Sequence, residues 1–266
     1  MKRPRLFDLF LAVNGLLLGL LILLPILALL LASSPMAIMK LLVDPEVLTA
    51  LWITLLSSFF ALPLMFLLGL PSAYGLARCH GRLRRSLEIL LELPMVMPPV
   101  VAGLALLLAF GRRGLFGELL SDLGMRITFT LGAVVLGIVF IVTPFFVRRC
   151  TVLFDGVDKK LEEAALILGA TPWQAFLYVV LPVVRRGIFA ELIMAVAQSV
   201  GLFGAIILFA GNLPGRTQTL SLAIYSSFES DPQQAFALGA LLLLISLLLL
   251  AAVHMLAPRD GQLCVA

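Results

Sequence analysis

The side chains whose types and spacing could do chemistry are concentrated in one segment, residues 155–186, between two long apolar runs. This segment reads DGVDKKLEEAALILGATPWQAFLYVVLPVVRR. Glu162 and Glu163 stand where negative charge stabilises the N-terminus of a helix, and Gly169 stands where a left-handed residue ends one. The pattern predicts a short helix over residues 159–168, with the chemistry of a contact surface.

A second short helix is predicted directly after this one. Thr171 suits the N-cap position, Pro172 suits the first helical position, and Gln174 completes a capping box. Because proline disrupts a helix interior, we expect this helix to run to about Leu181 and to end near Pro182.

The first helix of the pair presents small and apolar residues on one face. Its apolar positions recur at the helical spacing i, i+3, i+4 and i+7, at Leu161, Ala164, Ala165 and Leu168. Such a helix could lie on lipid headgroups, where large apolar side chains are preferred. The small residues Ala164, Ala165, Gly169 and Ala170 instead favour the close approach of a protein surface.

Other kinds of site have little support in the sequence. The three cysteines and two histidines show no metal-binding spacing. The chain lacks a Gly-rich phosphate loop of the Walker type, so we expect no ATP site, no cofactor and no enzymatic activity. The basic residues stand in short loops beside apolar runs, which argues against a nucleic-acid partner.

Composition places the chain in a lipid bilayer. Hydrophobic residues make up 62% of it and charged residues only 13%, too few charges to cover a water-facing exterior. We therefore predict one all-α polytopic membrane domain over residues 1–266, with six transmembrane helices. The apolar runs are 6–32, 47–77, 86–110, 127–147, 187–210 and 235–257.

The third apolar run contains Pro94, Pro98 and Pro99, so we expect a broken or kinked helix there. Irregular backbone at membrane depth is tolerated where it lines a cavity or is buried in protein. Two interpretations stay open at this point: a segment lining a transport pathway, and a kinked packing helix.

The distribution of Lys and Arg predicts the orientation. Most of the 19 lysines and arginines fall on the side of the N-terminus, including the segment 155–186, which predicts cytosolic termini and a cytosolic segment. No span carries an ionisable residue near its centre, and no internal duplication is visible. A self-contained secondary carrier would need one or the other, so we expect an energy source outside this subunit.

The segment 155–186 resembles the EAA motif of permease subunits of bacterial ABC importers. The matching residues are Glu163, Ala164, Ala165, Gly169, Val179 at the usual Ile position, Leu181 and Pro182. The resemblance implies the type I importer architecture, with a MetI-like fold, and a coupling helix that docks in a groove of a cytosolic ATPase subunit. The coupling residues it implies are Glu162, Glu163, Ala164, Ala165, Gly169, Ala170, Thr171, Pro172, Leu181 and Pro182.

Further stretches are similar to molybdate permeases. They are the prolines of the third run with the FGRRG stretch that follows it, residues 203–205 (FGA), and the predicted outer loop 211–225. Leu202 replaces the Glu that the family usually has before Phe203. The pathway and outer-loop candidates are Pro94, Pro98, Pro99, Phe203, Gly204, Asn212, Pro214, Gly215, Thr217 and Thr219. The loop residues also suit ordinary turns and caps.

The resemblance also implies an assembly and a mechanism. Two copies of this subunit would pair in a bacterial or archaeal cytoplasmic membrane, above two ATPase subunits and below an external oxyanion-binding protein. ATP binding and hydrolysis would then drive alternating access of the paired subunits. The expected cargo is molybdate, with tungstate and sulfate as alternatives.

Overall fold

The computed structural model describes residues 6–256, which are helical and contain no β-strand, as the sequence predicts. The predictions that concern the termini, including the basic residues Lys2, Arg3, Arg5 and Arg259, fall outside these residues. The helices, in chain order, are α1 (Leu6–Ala32), α2 (Pro35–Leu41), α3 (Pro45–Arg78), α4 (Gly81–Val96), α5 (Pro99–Phe110), α6 (Gly117–Asp122), α7 (Leu131–Asp155), α8 (Lys159–Ile167), α9 (Pro172–Ala175), α10 (Leu181–Val200), α11 (Gly204–Phe209), α12 (Leu220–Ser230) and α13 (Pro232–Leu256).

Four helices in the described part of the chain are long and apolar enough to cross a bilayer: α1, α3, α7 and α13. The bent pair α4–α5 would be a fifth span. The polytopic membrane class is therefore confirmed, whereas six spans stay a prediction. The remaining long helix, α10, has 20 residues but carries Arg185, Arg186 and Glu191.

The third apolar run is broken, as its prolines predict. Helix α4 ends at Val96, α5 begins at Pro99, and the axes of the two helices differ by 107°. Pro98 holds the N-cap position of α5 in an extended conformation. Because a proline has no backbone N–H, its place at a helix start leaves no buried donor without a partner.

The fifth run differs from the prediction at both ends. The helix does not end near Pro182, because residues Phe176–Val180 form a π-helical turn that leads directly into α10. The Leu181 N–H bonds to the Phe176 carbonyl, five residues back. This wider turn accommodates Pro182, whose ring would crowd the carbonyl four residues earlier in a regular α-helix. At its other end α10 stops at Val200, and α11 is a separate short helix.

The core is built around α7, which packs along α3 and contacts α4, α5, α10 and α11. Its buried positions include Val134, Ile138, Val142 and Phe146. The absence of a side chain at Gly69 lets α3 approach closely, since a Cβ there would lie 2.8 Å from Phe146 Cδ1. In contrast, α1 is apolar all round and largely exposed, which suits a helix surrounded by lipid.

The short helices α5 and α11 approach each other closely enough to require glycine. A Cβ on Gly103 would lie 2.7 Å from the Ala205 carbonyl oxygen, and one on Gly204 would lie 2.8 Å from Pro99 Cβ. The break between α4 and α5 therefore lies against the start of α11. Two irregular stretches of backbone meet where α5 packs on α11: Ala205 and Ile206 are buried there, whereas Pro98, Pro99 and Val100 are exposed.

This contact predicts that Gly103→Ala destabilises the protein. Since the added methyl would meet backbone and not a flexible side chain, we expect a loss of about 1–3 kcal/mol in the free energy of unfolding. The matched control is Gly15→Ala in α1, where nothing lies within 4 Å of the added methyl. Thermal unfolding in detergent measures both variants, and equal midpoints would contradict the packing argument.

Candidate functional site

The predicted pair of short helices is present, and α8 ends at the predicted Gly169, whereas its N-cap, Asp158, is a residue that the sequence did not single out. The Asp158 carboxylate accepts a hydrogen bond from the Lys160 N–H (3.0 Å) at the start of α8. At its end Gly169 has φ +91°, the Gly169 N–H bonds to the Leu166 carbonyl, and the Ala170 N–H bonds to the Ala165 carbonyl, both at 3.0 Å. These two bonds form a Schellman motif.

The second helix starts with the predicted capping box. The Gln174 N–H donates to Thr171 Oγ1 (3.3 Å), and the Thr171 N–H donates to Gln174 Oε1 (2.8 Å). Pro172 is the first helical residue of α9. Since α9 continues through the π turn into α10, the turn at Gly169 and Ala170 is connected to α10 without a flexible linker.

The two adjacent carboxylates of α8 have different surroundings. Glu163 is exposed. The Glu162 side chain instead turns towards α3, where its Oε1 accepts a hydrogen bond from Tyr74 Oη (2.5 Å) and its Oε2 lies 2.5 Å from Arg78 Nη2. Glu162, grouped with the coupling residues by resemblance, therefore faces its own subunit.

The apolar positions of this segment point away from the subunit. Helix α8 has no buried residue, and Ile167 and Leu168 at its end are 86% and 88% exposed. Leu161 is 48% exposed as well. Covering a leucine or isoleucine side chain contributes about 1.5–3 kcal/mol, so this surface has the composition of a contact site.

Ion pairs join the membrane helices near the same end of the molecule. Arg84 Nη2 of α4 lies 2.7 Å from Asp155 Oδ2 at the end of α7. The neighbouring residues Arg148 and Arg149 of α7 pair in different directions, to Glu92 of α4 and to Glu191 of α10 (3.2 Å). Glu92 and Glu191 thus have arginine partners that connect α7 to two other helices.

The structure brings together four of the pathway candidates. Pro98 and Pro99 form the break before α5, and Phe203 and Gly204 form the start of α11 against it. Pro94 lies apart from them, inside α4. Leu202 packs against the core cluster around α7, and its carbonyl accepts a hydrogen bond from Ser221 Oγ (2.8 Å).

The outer-loop candidates lie in one loop, and their side chains form hydrogen bonds within the loop and to α12. Asn212 Nδ2 donates to Ser226 Oγ (2.6 Å), and buried Thr217 Oγ1 accepts from the Leu213 N–H (3.2 Å). Gly215 has φ +75°, Pro214 is exposed, and Thr219 is the N-cap residue of α12. The loop borders a polar cleft of about 290 Å³ that reaches Glu46 and Gln234.

A buried cluster of hydroxyls joins α3 to α10 and α12, and the sequence pattern did not predict it. Thr54 Oγ1 of α3 accepts a hydrogen bond from the Leu220 N–H (2.8 Å), and Ser58 Oγ lies 2.7 Å from Ser199 Oγ of α10. The available signal was the i, i+3, i+4 spacing of Thr54, Ser57 and Ser58 within an apolar run. Thr54 therefore attaches the start of α12 to α3, and Ser58 attaches α10 to α3.

The chain matches one protein-family model and several curated proteins. The family is described as "Binding-protein-dependent transport system inner membrane component", and its model matches residues 65–260. The molybdenum transport system permease protein ModB of Mycobacterium tuberculosis is 40% identical over 218 residues, which are 82% of this chain and 83% of the relative. The sulfate transport system permease protein CysT of Escherichia coli is 35% identical over 260 residues, 96% of this chain and 94% of the relative.

Solved structures share the fold at low identity. A chain of a bacterial alginate ABC transporter, solved with its alginate-bound periplasmic protein, superposes with a TM-score of 0.73 at 16% identity, covering 96% of both chains. A chain of the MetNI methionine ABC transporter in an inward-facing conformation gives 0.61 at 22% identity, covering 85% of this chain and all of that one.

The hydroxyl cluster predicts that Thr54→Val is destabilising. The substitution would leave the buried Leu220 N–H without an acceptor, which costs about 1–3 kcal/mol. Thr49→Val is the matched control, because the hydroxyl of half-exposed Thr49 donates to the Pro45 carbonyl of its own helix and holds no other element. Thermal unfolding in detergent compares the two, and an unchanged midpoint for Thr54→Val would refute the role of this hydroxyl.

Proposed function

The chain belongs to the family of inner membrane components of binding-protein-dependent transport systems, the permease subunits of ABC importers, and we propose that this member carries molybdate across the membrane. In this family ATP is hydrolysed by a separate ATPase subunit. The finer proposals concern the cargo, the docking residues, the pairing of subunits and the orientation in the membrane.

The observation that carries the docking proposal is the outward-facing apolar end of α8. Ile167 and Leu168 project from a capped turn on the side that the lysine and arginine distribution predicts to be cytosolic. We propose that they enter the ATPase groove, with Glu163, Ala164, Gly169 and Ala170 around them. The small residues there would allow the surfaces to approach closely.

The proposed mechanism couples this docking to alternating access. Two copies of the chain pair, and each places its α8 on one ATPase subunit. Closure of the ATPase pair on binding ATP moves the two α8 helices towards each other. Because α9, the π turn and α10 are continuous with that segment, the movement passes into α10 and, through Arg149 and Glu191, into α7.

The proposed cargo rests on the relatives. The ModB relative has the higher identity, and this favours molybdate. The CysT relative matches more of the chain, and this observation supports sulfate as a second candidate. Tungstate is the third candidate, because it is a tetrahedral dianion like molybdate.

The outer side would receive an external binding protein. We propose that the loop with Asn212, Pro214 and Gly215, together with its polar cleft, forms part of that surface. The lysine and arginine distribution supports cytosolic termini in a cytoplasmic membrane. A self-contained carrier is disfavoured, because Glu92 of α4 and Glu191, at the middle of α10, are each paired with an arginine of α7.

The docking proposal predicts that Leu168→Glu prevents binding of the ATPase subunit. A carboxylate at the centre of an apolar contact must be desolvated without a partner, so we expect at least a tenfold loss of ATPase co-purified with the permease, about 1.4 kcal/mol. Leu115→Glu is the control, because Leu115 is also 88% exposed but lies in the loop before α6. Full ATPase recovery with Leu168→Glu would exclude Leu168 from the interface.

The cargo proposal predicts a preference for molybdate in reconstituted vesicles. Hydrogen-bond donors that are spaced to bind the oxygens of the larger molybdate cannot bind those of the smaller sulfate equally well. We expect about a hundredfold preference for molybdate, equivalent to about 2.7 kcal/mol. Uptake of labelled molybdate, with unlabelled sulfate or tungstate as competitors, measures it. Stronger competition by sulfate than by unlabelled molybdate would favour the sulfate candidate.

A further inference from the structure

The contact between Glu162 and α3 has the geometry of a mechanical link. Each carboxylate oxygen has its own partner, Tyr74 Oη for Oε1 and Arg78 Nη2 for Oε2, both at 2.5 Å. Tyr74 and Arg78 are one helical turn apart near the end of α3. A carboxylate held at two points on one helix face resists both sliding and rotation of α8 relative to α3.

Burial makes this link costly to break. The Arg78 nitrogens are buried, and among residues 6–256 none of them has a hydrogen-bond acceptor in good geometry, so the contact with Glu162 is one of charge. The guanidinium carbon also lies 5.2 Å from the centre of the Tyr74 ring. Moving α8 away from α3 would leave a buried cation without its counter-charge, which is strongly unfavourable.

The Tyr74 ring connects this link to two further elements. It packs edge-on against Phe154 of α7, with centroids 5.5 Å apart, and against Phe176 of the π turn at 4.6 Å. Trp173 of α9 packs on Phe176 at 5.7 Å. The Glu162 carboxylate therefore binds the hydroxyl of Tyr74, and the Tyr74 ring packs between α7 and the π turn that leads into α10.

We propose that Glu162 is the positioning residue that transmits displacement of α8 to α3 and α7, and that it acts within the subunit and not on the ATPase. This inference rests on the proposed docking of α8. It divides the two neighbouring carboxylates by role, with Glu163 on the docking side and Glu162 on the transmission side. Displacement of α8 then moves Tyr74 and Arg78 with it, in addition to the covalent route through α9 and α10.

The test separates ATP hydrolysis from transport in the intact complex. The permease with its ATPase subunit is reconstituted into vesicles, and the external binding protein is supplied loaded with molybdate. Glu162→Gln removes the charge but preserves the size of the side chain and an acceptor for Tyr74. Tyr74→Phe removes only the hydroxyl and retains the aromatic packing. Glu229→Gln, at an exposed position near the end of α12, is the control for the loss of a carboxylate.

We expect both variants to retain the ATPase subunit and its basal hydrolysis, whereas molybdate transported per ATP hydrolysed falls about tenfold for Glu162→Gln. The double variant should be little worse than Glu162→Gln, because both changes break one link. The exchange Arg78→Glu with Glu162→Arg should recover part of the loss. A residue that only stabilised the fold would lower the yield of the permease itself and leave both the ATPase bound per permease and this ratio unchanged.

Two results would overturn the inference. An unchanged transport ratio in Glu162→Gln would show that α8 acts without this link. Loss of the ATPase subunit in the same variant would show that Glu162 is a docking contact. Failure of the wild-type chain to retain an ATPase subunit is a distinct result, because it would contradict the proposed docking itself and the inference with it.

Discussion

Hydrocarbon provides no water to backbone N–H and C=O groups, and this constraint governs where the chain can depart from a helix. The breaks before α5 and before α11 lie against each other at Pro99 and Gly204, with Ala205 and Ile206 buried behind the contact and Pro99 exposed. The Leu202 carbonyl at the second break accepts a hydrogen bond from the Ser221 hydroxyl. At the start of α12, Thr54 Oγ1 accepts a hydrogen bond from the Leu220 N–H. Irregular backbone, which we expect to line a transport pathway, is thus stabilised here by close packing at glycines and by hydrogen bonds from a few hydroxyls.

At the opposite end of the molecule the usual arrangement of an amphipathic helix is reversed. Helix α8 turns the polar Glu162 side chain towards the subunit and leaves Ile167 and Leu168 exposed. Apolar area exposed to water is unfavourable, so this arrangement of α8 favours a partner that covers Ile167 and Leu168. A subunit that must bind a partner firmly and also follow its movement benefits from both features: apolar contact for affinity, and directional polar contacts for transmission.

Local chemistry made much of this predictable from the sequence. The end of α1, the bounds of α3, the turn at Gly169 and the capping box at Thr171 depend on neighbouring residues, and the structure reproduces them to within two residues. The sequence did not predict that the helix continues past Pro182, because a π turn compensates for the proline. It also did not predict the direction of Glu162, whose partner Tyr74 is 88 residues away along the chain. Such pairings are fixed only by tertiary packing.

The central claim is that the exposed end of α8 faces the ATPase subunit while Glu162 faces α3. Photo-crosslinking of the assembled complex in membranes tests it most directly, with a benzophenone amino acid placed at position 168 in one sample and at position 74 in another. We expect a permease–ATPase adduct from position 168, and only adducts within the permease from position 74. Adducts of position 168 with lipid alone, or ATPase adducts from position 74, would contradict it.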